Sequence, residues 1–264
     1  MELLLIPLIL FIAAVIFYIN FRKVKKQFDN ISRVERSTAA EVRENHEHFL
    51  IEFGPGTFQY YAELNGMVKC DAPLTAPISG RTCVYAEHKI LRKYETMVQV
   101  RDSQGRMVNR MESRTETISS GKQSVPFRIE DEGSAIDIMP ESADFFPVQS
   151  HHSQNAYLDP TLSGNLGIST GFGMGNTTGY VVSEYIIPVE QPLYVLGEAN
   201  DRNGKLAVSK PRDKAQSFIL STSHEDVLLQ KLGVKVRWFR IGFWAGTLSG
   251  LGSLAFILLQ LIKS

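Results

Sequence analysis

The chain has 264 residues, 28 basic and 28 acidic side chains, 44% hydrophobic residues and two cysteines. A zero net charge with a near-neutral middle argues against a nucleic-acid binder, which usually carries a clustered basic surface. Two cysteines exclude a disulfide framework or a self-contained multi-zinc domain. The averages hide two uncharged runs, residues 3–21 and 241–262. Each is long enough to cross a bilayer as a helix, which takes about 20 apolar residues.

The first run reads LLLIPLILFIAAVIFYINF. A cleaved signal peptide would begin with positive charge and end at small residues. Here Glu2 precedes the run and Tyr18, Asn20 and Phe21 close it, with Arg22, Lys23, Lys25 and Lys26 following. That is the pattern of an uncleaved anchor, transmembrane helix 3–21, and a membrane helix tolerates Pro7. Phe21, Val24, Phe28, Ile31, Thr38 and Val42 then recur at spacings of three and four, with Glu35 interrupting between Ile31 and Thr38. The periodicity predicts a juxtamembrane amphipathic helix over 22–52, continuing from the membrane. Gly54-Pro55-Gly56 ends it.

Residues 53–235 read as a β-rich domain. The runs 83–91, 94–100, 125–131, 180–188, 192–199 and 205–210 are rich in β-branched and aromatic residues. Asn203-Gly204 signals a hairpin between the last two, and Ser103-Gln104-Gly105 joins two more strands. Residues 148–178 carry His151-His152 and five glycines among Ser, Thr and Asn, and predict a long loop. Ser223 with Asp226 resembles a capping box opening a short helix 224–232.

Transmembrane helix 238–262 follows. Lys231, Lys235, Arg237 and Arg240 flank its uncharged run 241–262 on the N-terminal side, and Trp238 and Trp244 mark the interface. Both basic clusters lie on the middle domain's side. In a bacterial plasma membrane the positive-inside rule then places that domain in the cytoplasm and both termini outside. Gly242, Gly246 and Gly250 share one face at four-residue spacing, which suits helix packing against the first segment or against a second copy. The expected fold class is a membrane-anchored mainly-β (β-rich α+β) domain flanked by two transmembrane helices.

Chemistry-bearing motifs are weak. Gly171-Phe172-Gly173-Met174-Gly175-Asn176 leads into a strand rather than a helix, so it reads as a loop and not as a phosphate cradle. His151 and His152 are adjacent and lack further ligands at metal spacing. Cys70 and Cys83 read as small buried hydrophobes, although a Cys–His pair with His88 can be drawn. No Gly-x-Ser-x-Gly elbow occurs. No catalytic residue, metal site or cofactor is expected. The candidate binding residues are Glu87, His88, Glu184, His151 and His152.

The order of the strand motifs says more than any one of them. Gly66-Met67-Val68 leads to Pro73-Leu74-Thr75-Ala76-Pro77-Ile78-Ser79-Gly80 and Cys83-Val84-Tyr85-Ala86-Glu87-His88. Val125-Pro126-Phe127 with Glu130-Asp131 follows, then Ser183-Glu184-Tyr185-Ile186-Ile187-Pro188 and Leu193-Tyr194-Val195-Leu196-Gly197-Glu198-Ala199. Lys210-Pro211, Phe218-Ile219-Leu220-Ser221 and the final helix complete the series. The series resembles the GIDE/MAPL family, membrane-anchored ubiquitin ligases with a β-rich "beside-a-membrane" domain between two membrane helices. The resemblance spans roughly residues 58–262. It implies an E3 ubiquitin ligase label by homology. Ligation in that family runs through a RING finger with eight Cys/His zinc ligands, which two cysteines do not supply, so the likeness is to a RING-less form. The expected function is a membrane-anchored interaction or sensing module binding a protein, peptide or lipid headgroup. The alternatives are a ligase-family enzyme, a membrane hydrolase or an oligomeric scaffold. Expected partners are the lipid bilayer, a membrane or cytoplasmic protein, and a second copy of the chain, with no nucleic acid.

Overall fold

The computed structural model describes residues 5–168 and 176–263. Helix α1 (Leu5–Ile31) carries the first apolar run from Leu5 onward and its basic collar without interruption. Among the described residues it is the one helix both long and apolar enough to cross a membrane. It stops at Ile31 and not at residue 52. Thr38 is the reason. Its hydroxyl accepts from the Glu41 N–H at 3.1 Å, and its own N–H donates to Glu41 Oε2 at 2.8 Å. This reciprocal capping box opens a second helix, α2 (Ala39–Phe53). The expected continuous helix over 22–52 is therefore two helices. The link between them is tied to the sheet by the Ser37 N–H donating to Glu63 O at 2.8 Å.

The strands are β1 (Gln59–Lys69), β2 (Leu74–Thr75), β3 (Thr82–Arg101), β4 (Met107–Ser124), β5 (Phe127–Asp131) and β6 (Ser134–Ile138). After them come β7 (Asp144–Phe146), β8 (Val148–Asn155) and the short helix α3 (Pro160–Asn165). Then β9 (Asn176–Pro188), β10 (Pro192–Asn200), β11 (Ala207–Ser209) and β12 (Ile219–Ser221) lead to helix α4 (Glu225–Lys263). In the larger sheet β1, β5, β6, β11 and β10 follow in order and β10 pairs back onto β1, closing a small barrel; β12 and β7 extend it from β10. The second sheet runs β2–β3–β9–β8, with β4 on β3.

β10 shows why the barrel holds the helices. From Leu193 to Asn200 every residue is buried. Leu193, Val195 and Ala199 point into the barrel with Leu64, Ile129, Ile138 and Val208. Tyr194 and Leu196 point outward and pack with Ile31 of α1 and Leu228 and Leu232 of α4. Both faces are covered, so the strand reads as a nearly continuous apolar run. Gly197 lies on the inward row. A Cβ there would sit 2.7 Å from Val208 Cγ1 and 2.8 Å from the Phe218 ring, so the core is closed around a missing side chain.

α1 and α4 lie against each other. A Cβ at Gly242 would be 2.7 Å from the Phe17 ring, and one at Gly246 would be 3.1 Å from Ala14 Cβ. Gly250 faces Phe11 at 3.4 Å. The glycine face is thus filled by α1 within one chain. Gly246→Ile is expected to pry the two helices apart at a cost of about 1–3 kcal/mol. Thermal unfolding in detergent reads this directly. Gly252→Ile, where a Cβ meets nothing within 4 Å, should leave the midpoint unchanged.

Two further expectations change. The segment 148–178 is not one loop: β8 and α3 occupy its first half, and β9 begins at Asn176. The glycine motif 171–175 lies outside the described residues. At the start of α4, Ser223 is not the cap. Its hydroxyl is contacted by Lys231 Nζ at 3.2 Å, while Leu228 N–H donates to His224 O at 3.0 Å. The helix then runs unbroken through the expected boundary near 232.

Candidate interaction surface

Antiparallel register brings three of the five candidate residues into one row. His88 on β3 is opposite Glu184 on β9, and Glu184 is opposite His151 on β8. The row does not converge on a ligand. Glu184 is fully buried, and both its oxygens are engaged: Oε1 accepts from Ile78 N at 2.7 Å, and Oε2 from Ser79 N at 3.0 Å and Ser150 Oγ at 2.6 Å. Burial alone would raise its pKa, but these donors hold the carboxyl below its ordinary value. Glu184 is thereby the clamp on the 76–80 turn, whose Gly80 takes a φ of +67°.

The other candidates are similarly occupied. His88 Nε2 is 3.2 Å from Ser119 Oγ, and its ring fills the space a side chain on Gly121 would need. Burial pushes its pKa down, opposed by the charge of Glu184. His152 Nδ1 is 3.2 Å from Ser183 Oγ, and His151 Nε2 is 3.0 Å from Ser153 Oγ. His151 also lines an open cleft of about 600 Å³ between the 75–80 turn and α3. Glu87 Oε2 accepts from the Tyr85 hydroxyl at 2.6 Å, and the Tyr85 ring stacks on Phe145 at 4.0 Å. Cys83 is fully buried and its thiol is pushed up to about 11, chiefly by burial. It is not poised as a nucleophile.

Two features went unread in the sequence. The first is Glu63, 2% exposed, on the outer row of β1. The Tyr194 hydroxyl donates to its Oε2 at 3.0 Å, and it lines a cleft of about 330 Å³ with Arg36, Asn65 and the first residues of α4. Burial raises its pKa to about 7; the Tyr194 bond and Arg36 oppose the rise and Glu225 adds to it. The signal lay in the alternation of Tyr61, Glu63 and Asn65 with Ala62 and Leu64, which puts the polar set on the face toward the helices.

The second is a ribbon. β9 pairs with β3 only as far as Glu95, opposite Asn176. Beyond it, residues 96–101 are paired with 107–112 alone among the described residues. This two-stranded extension ends in the turn at Asp102, whose Oδ1 accepts from the Gln104 and Arg106 N–H groups at 2.9 Å. Met97, Met107 and Met111 are 64%, 58% and 53% exposed, and Met97 sits directly opposite Met111. Arg110, Glu112 and Arg114 are exposed along β4, with Glu116 half-buried behind them. Exposed methionines adapt to a partner's shape, and an unpaired strand edge offers a ladder of N–H and C=O groups.

A family model described as GIDE, E3 Ubiquitin ligase, matches residues 95–255. The match covers more than half of the chain and includes the ribbon, β4 to β12 and most of α4. Comparison with curated proteins and with solved structures finds no match.

Proposed function

The chain belongs to the GIDE family, and we propose that it works as a membrane-held interaction module whose β-domain engages a protein through the β3–β4 ribbon. The carrying observation is the ribbon itself: among the described residues, two strands extend past β9 with three methionines exposed and an edge that no other strand pairs. A partner strand would add to that edge through main-chain bonds, with side-chain pockets supplying specificity. The remaining candidate groups support binding over turnover, because Glu184, Glu87 and His88 are engaged in holding turns and strands together.

In this reading α1 anchors the module and the 241–262 run of α4 makes a second crossing beside it. The basic collars would then lie at headgroup level, where a Lys or Arg contributes about 1 kcal/mol toward anionic lipid. In a bacterial plasma membrane the positive-inside rule would place the β-domain in the cytoplasm. Two collar lysines also brace the domain: Lys23 Nζ is 3.1 Å from Asp144 Oδ1, and Lys26 Nζ contacts the Lys214 carbonyl.

The test places a photo-crosslinking residue at Met97 or Met111 in native membranes, with Glu132 in the β5–β6 turn as the control position. Protein adducts from the two ribbon positions and none from the control are expected. Adducts to lipid alone, or the same adducts from all three positions, would overturn the reading. A chain with residues 98–109 replaced by a two-residue turn should keep its melting midpoint and lose the partner at least tenfold.

A further inference from the structure

We infer that the outer edge of β4 pairs with the same edge of a second copy of this chain, antiparallel, about a two-fold axis at Ser113. The inference rests on the ribbon being a contact element and names its partner. Among the described residues β4 is paired to β3 alone, leaving an edge 18 residues long. Natural edges are usually kept from pairing by shortness, proline, bulges or charges that repel a like edge. Residues 107–117 contain no proline and no glycine. Their pairing with β3 is regular, the register shift falling only at Ile90/Leu91, opposite residue 118.

The charges on this edge attract rather than repel their own kind. Arg110, Glu112, Arg114 and Glu116 alternate in sign at every second position, so they share one face of the strand. A two-fold at Ser113 sets Arg110 opposite Glu116 of the second copy and Glu112 opposite Arg114 of the second copy, and the reverse. All four charges then meet an opposite charge. The neighbouring registers that the pleat allows do the contrary. About Glu112, Arg110 would face Arg114 and Glu112 would face itself. About Arg114, Glu112 would face Glu116 and Arg114 would face itself. An in-register parallel pairing would set every charge against its own kind. Opposite charges directly across an antiparallel pair stabilise it and like charges destabilise it, so the pattern selects one orientation and one register. On the other face Met111 meets Thr115 and Asn109 meets Thr117, which desolvates no charge. Within one chain Arg114 already bonds Glu112 at 2.9 Å, and Glu116 bonds Arg92 at 2.8 Å. The second copy extends these pairs into an alternating ladder.

The test uses the full chain in detergent, with Cys70→Ser as background and Cys83 left buried. Chains carrying Ser113→Cys should be joined to each other by a short thiol-reactive crosslinker. Chains carrying Asn109→Cys alone should stay single, but should crosslink when mixed with Thr117→Cys chains. Arg114→Glu and Glu112→Arg, both at exposed positions, should each weaken the dimer at least tenfold without moving the melting midpoint of the dilute, monomeric chain. Mixing the two charge variants should restore a heterodimer, because every introduced charge then faces its opposite. Charge variants that dimerise like the wild type would overturn the inference. So would Ser113→Cys chains that crosslink no better than Asn109→Cys chains alone. If partner adducts from Met97 persist while Ser113→Cys gives no dimer, this inference falls and the ribbon reading stands. Loss of specific adducts from the ribbon altogether ends both.

Discussion

Glu184→Ala is expected to destabilise the β-domain by about 3 kcal/mol, the largest loss from any single side chain in the candidate row. The carboxylate is fully buried and takes hydrogen bonds from Ile78 N, Ser79 N and Ser150 Oγ. Alanine removes the acceptor and leaves two backbone N–H groups and a hydroxyl without it. An unmade buried hydrogen bond costs more than a made one contributes, because the group has already left water. Glutamine should be little better, since its amide NH2 would face a donor. The acid limb provides a second reading. Glu184 has a depressed pKa, so its stabilisation is present above the ordinary carboxylate pKa and is lost as pH falls through the folded value. Wild type should therefore lose stability in acid more steeply than Glu184→Ala. Urea midpoints measured from neutral pH into acid would show it, and parallel slopes would count against the clamp.

That clamp also shows how far the sequence reaches. Glu184 was visible as a carboxylate inside a strand, and that strand was legible because residues 180–188 are rich in β-branched and aromatic residues. Its partner turn was not, because the pairing of residue 184 with residues 78 and 79 is set by how β2, β3 and β9 register, and local pattern carries no such information. The same limit applies at the two ends. The apolar periodicity from Phe21 to Val42 carries on past Ile31, yet Thr38 and Glu41 reset the helix by capping a new one. A capping box outweighs a continuing hydrophobic stripe when the residues between it include none that need a helix. The glycine face of α4 was readable as a packing surface. Which surface it meets depends on Phe11, Ala14 and Phe17, at the far end of the chain. The alternating charges of β4 stood in the sequence throughout, but their meaning required knowing that this strand is an edge.

Glu63→Gln is expected to stabilise the protein at pH 8 and to leave it unchanged at pH 4, reversing the usual direction for a carboxylate substitution. Burial between β1, Tyr194 and the start of α4 lifts the Glu63 pKa from 4.5 to about 7. Tyr194 donates to it from β10, Arg36 faces it from the link before α2, and Glu225 faces it from α4 with a like charge. A raised carboxyl pKa means that the folded state binds the proton more tightly than the unfolded chain. The stabilising contribution is fully present below the ordinary value of 4.5, falls as pH rises, and is gone above about 7. Each tenfold gain in proton affinity on folding corresponds to about 1.4 kcal/mol, so the protein should lose up to about 3 kcal/mol between pH 4.5 and 7 from this group alone. Glutamine stays neutral throughout and keeps a carbonyl oxygen for the Tyr194 hydroxyl. Its melting midpoint should be nearly flat across that window and higher than wild type at pH 8. Glu225→Gln should have a smaller effect in the same direction, because it removes only the like charge and leaves the burial. The site sits where α4 leaves the sheet, so ionising Glu63 weakens the attachment of the helix to the barrel rather than the barrel itself. Two midpoint-against-pH curves, wild type and Glu63→Gln, decide the matter: parallel curves would mean that folding does not raise the Glu63 pKa.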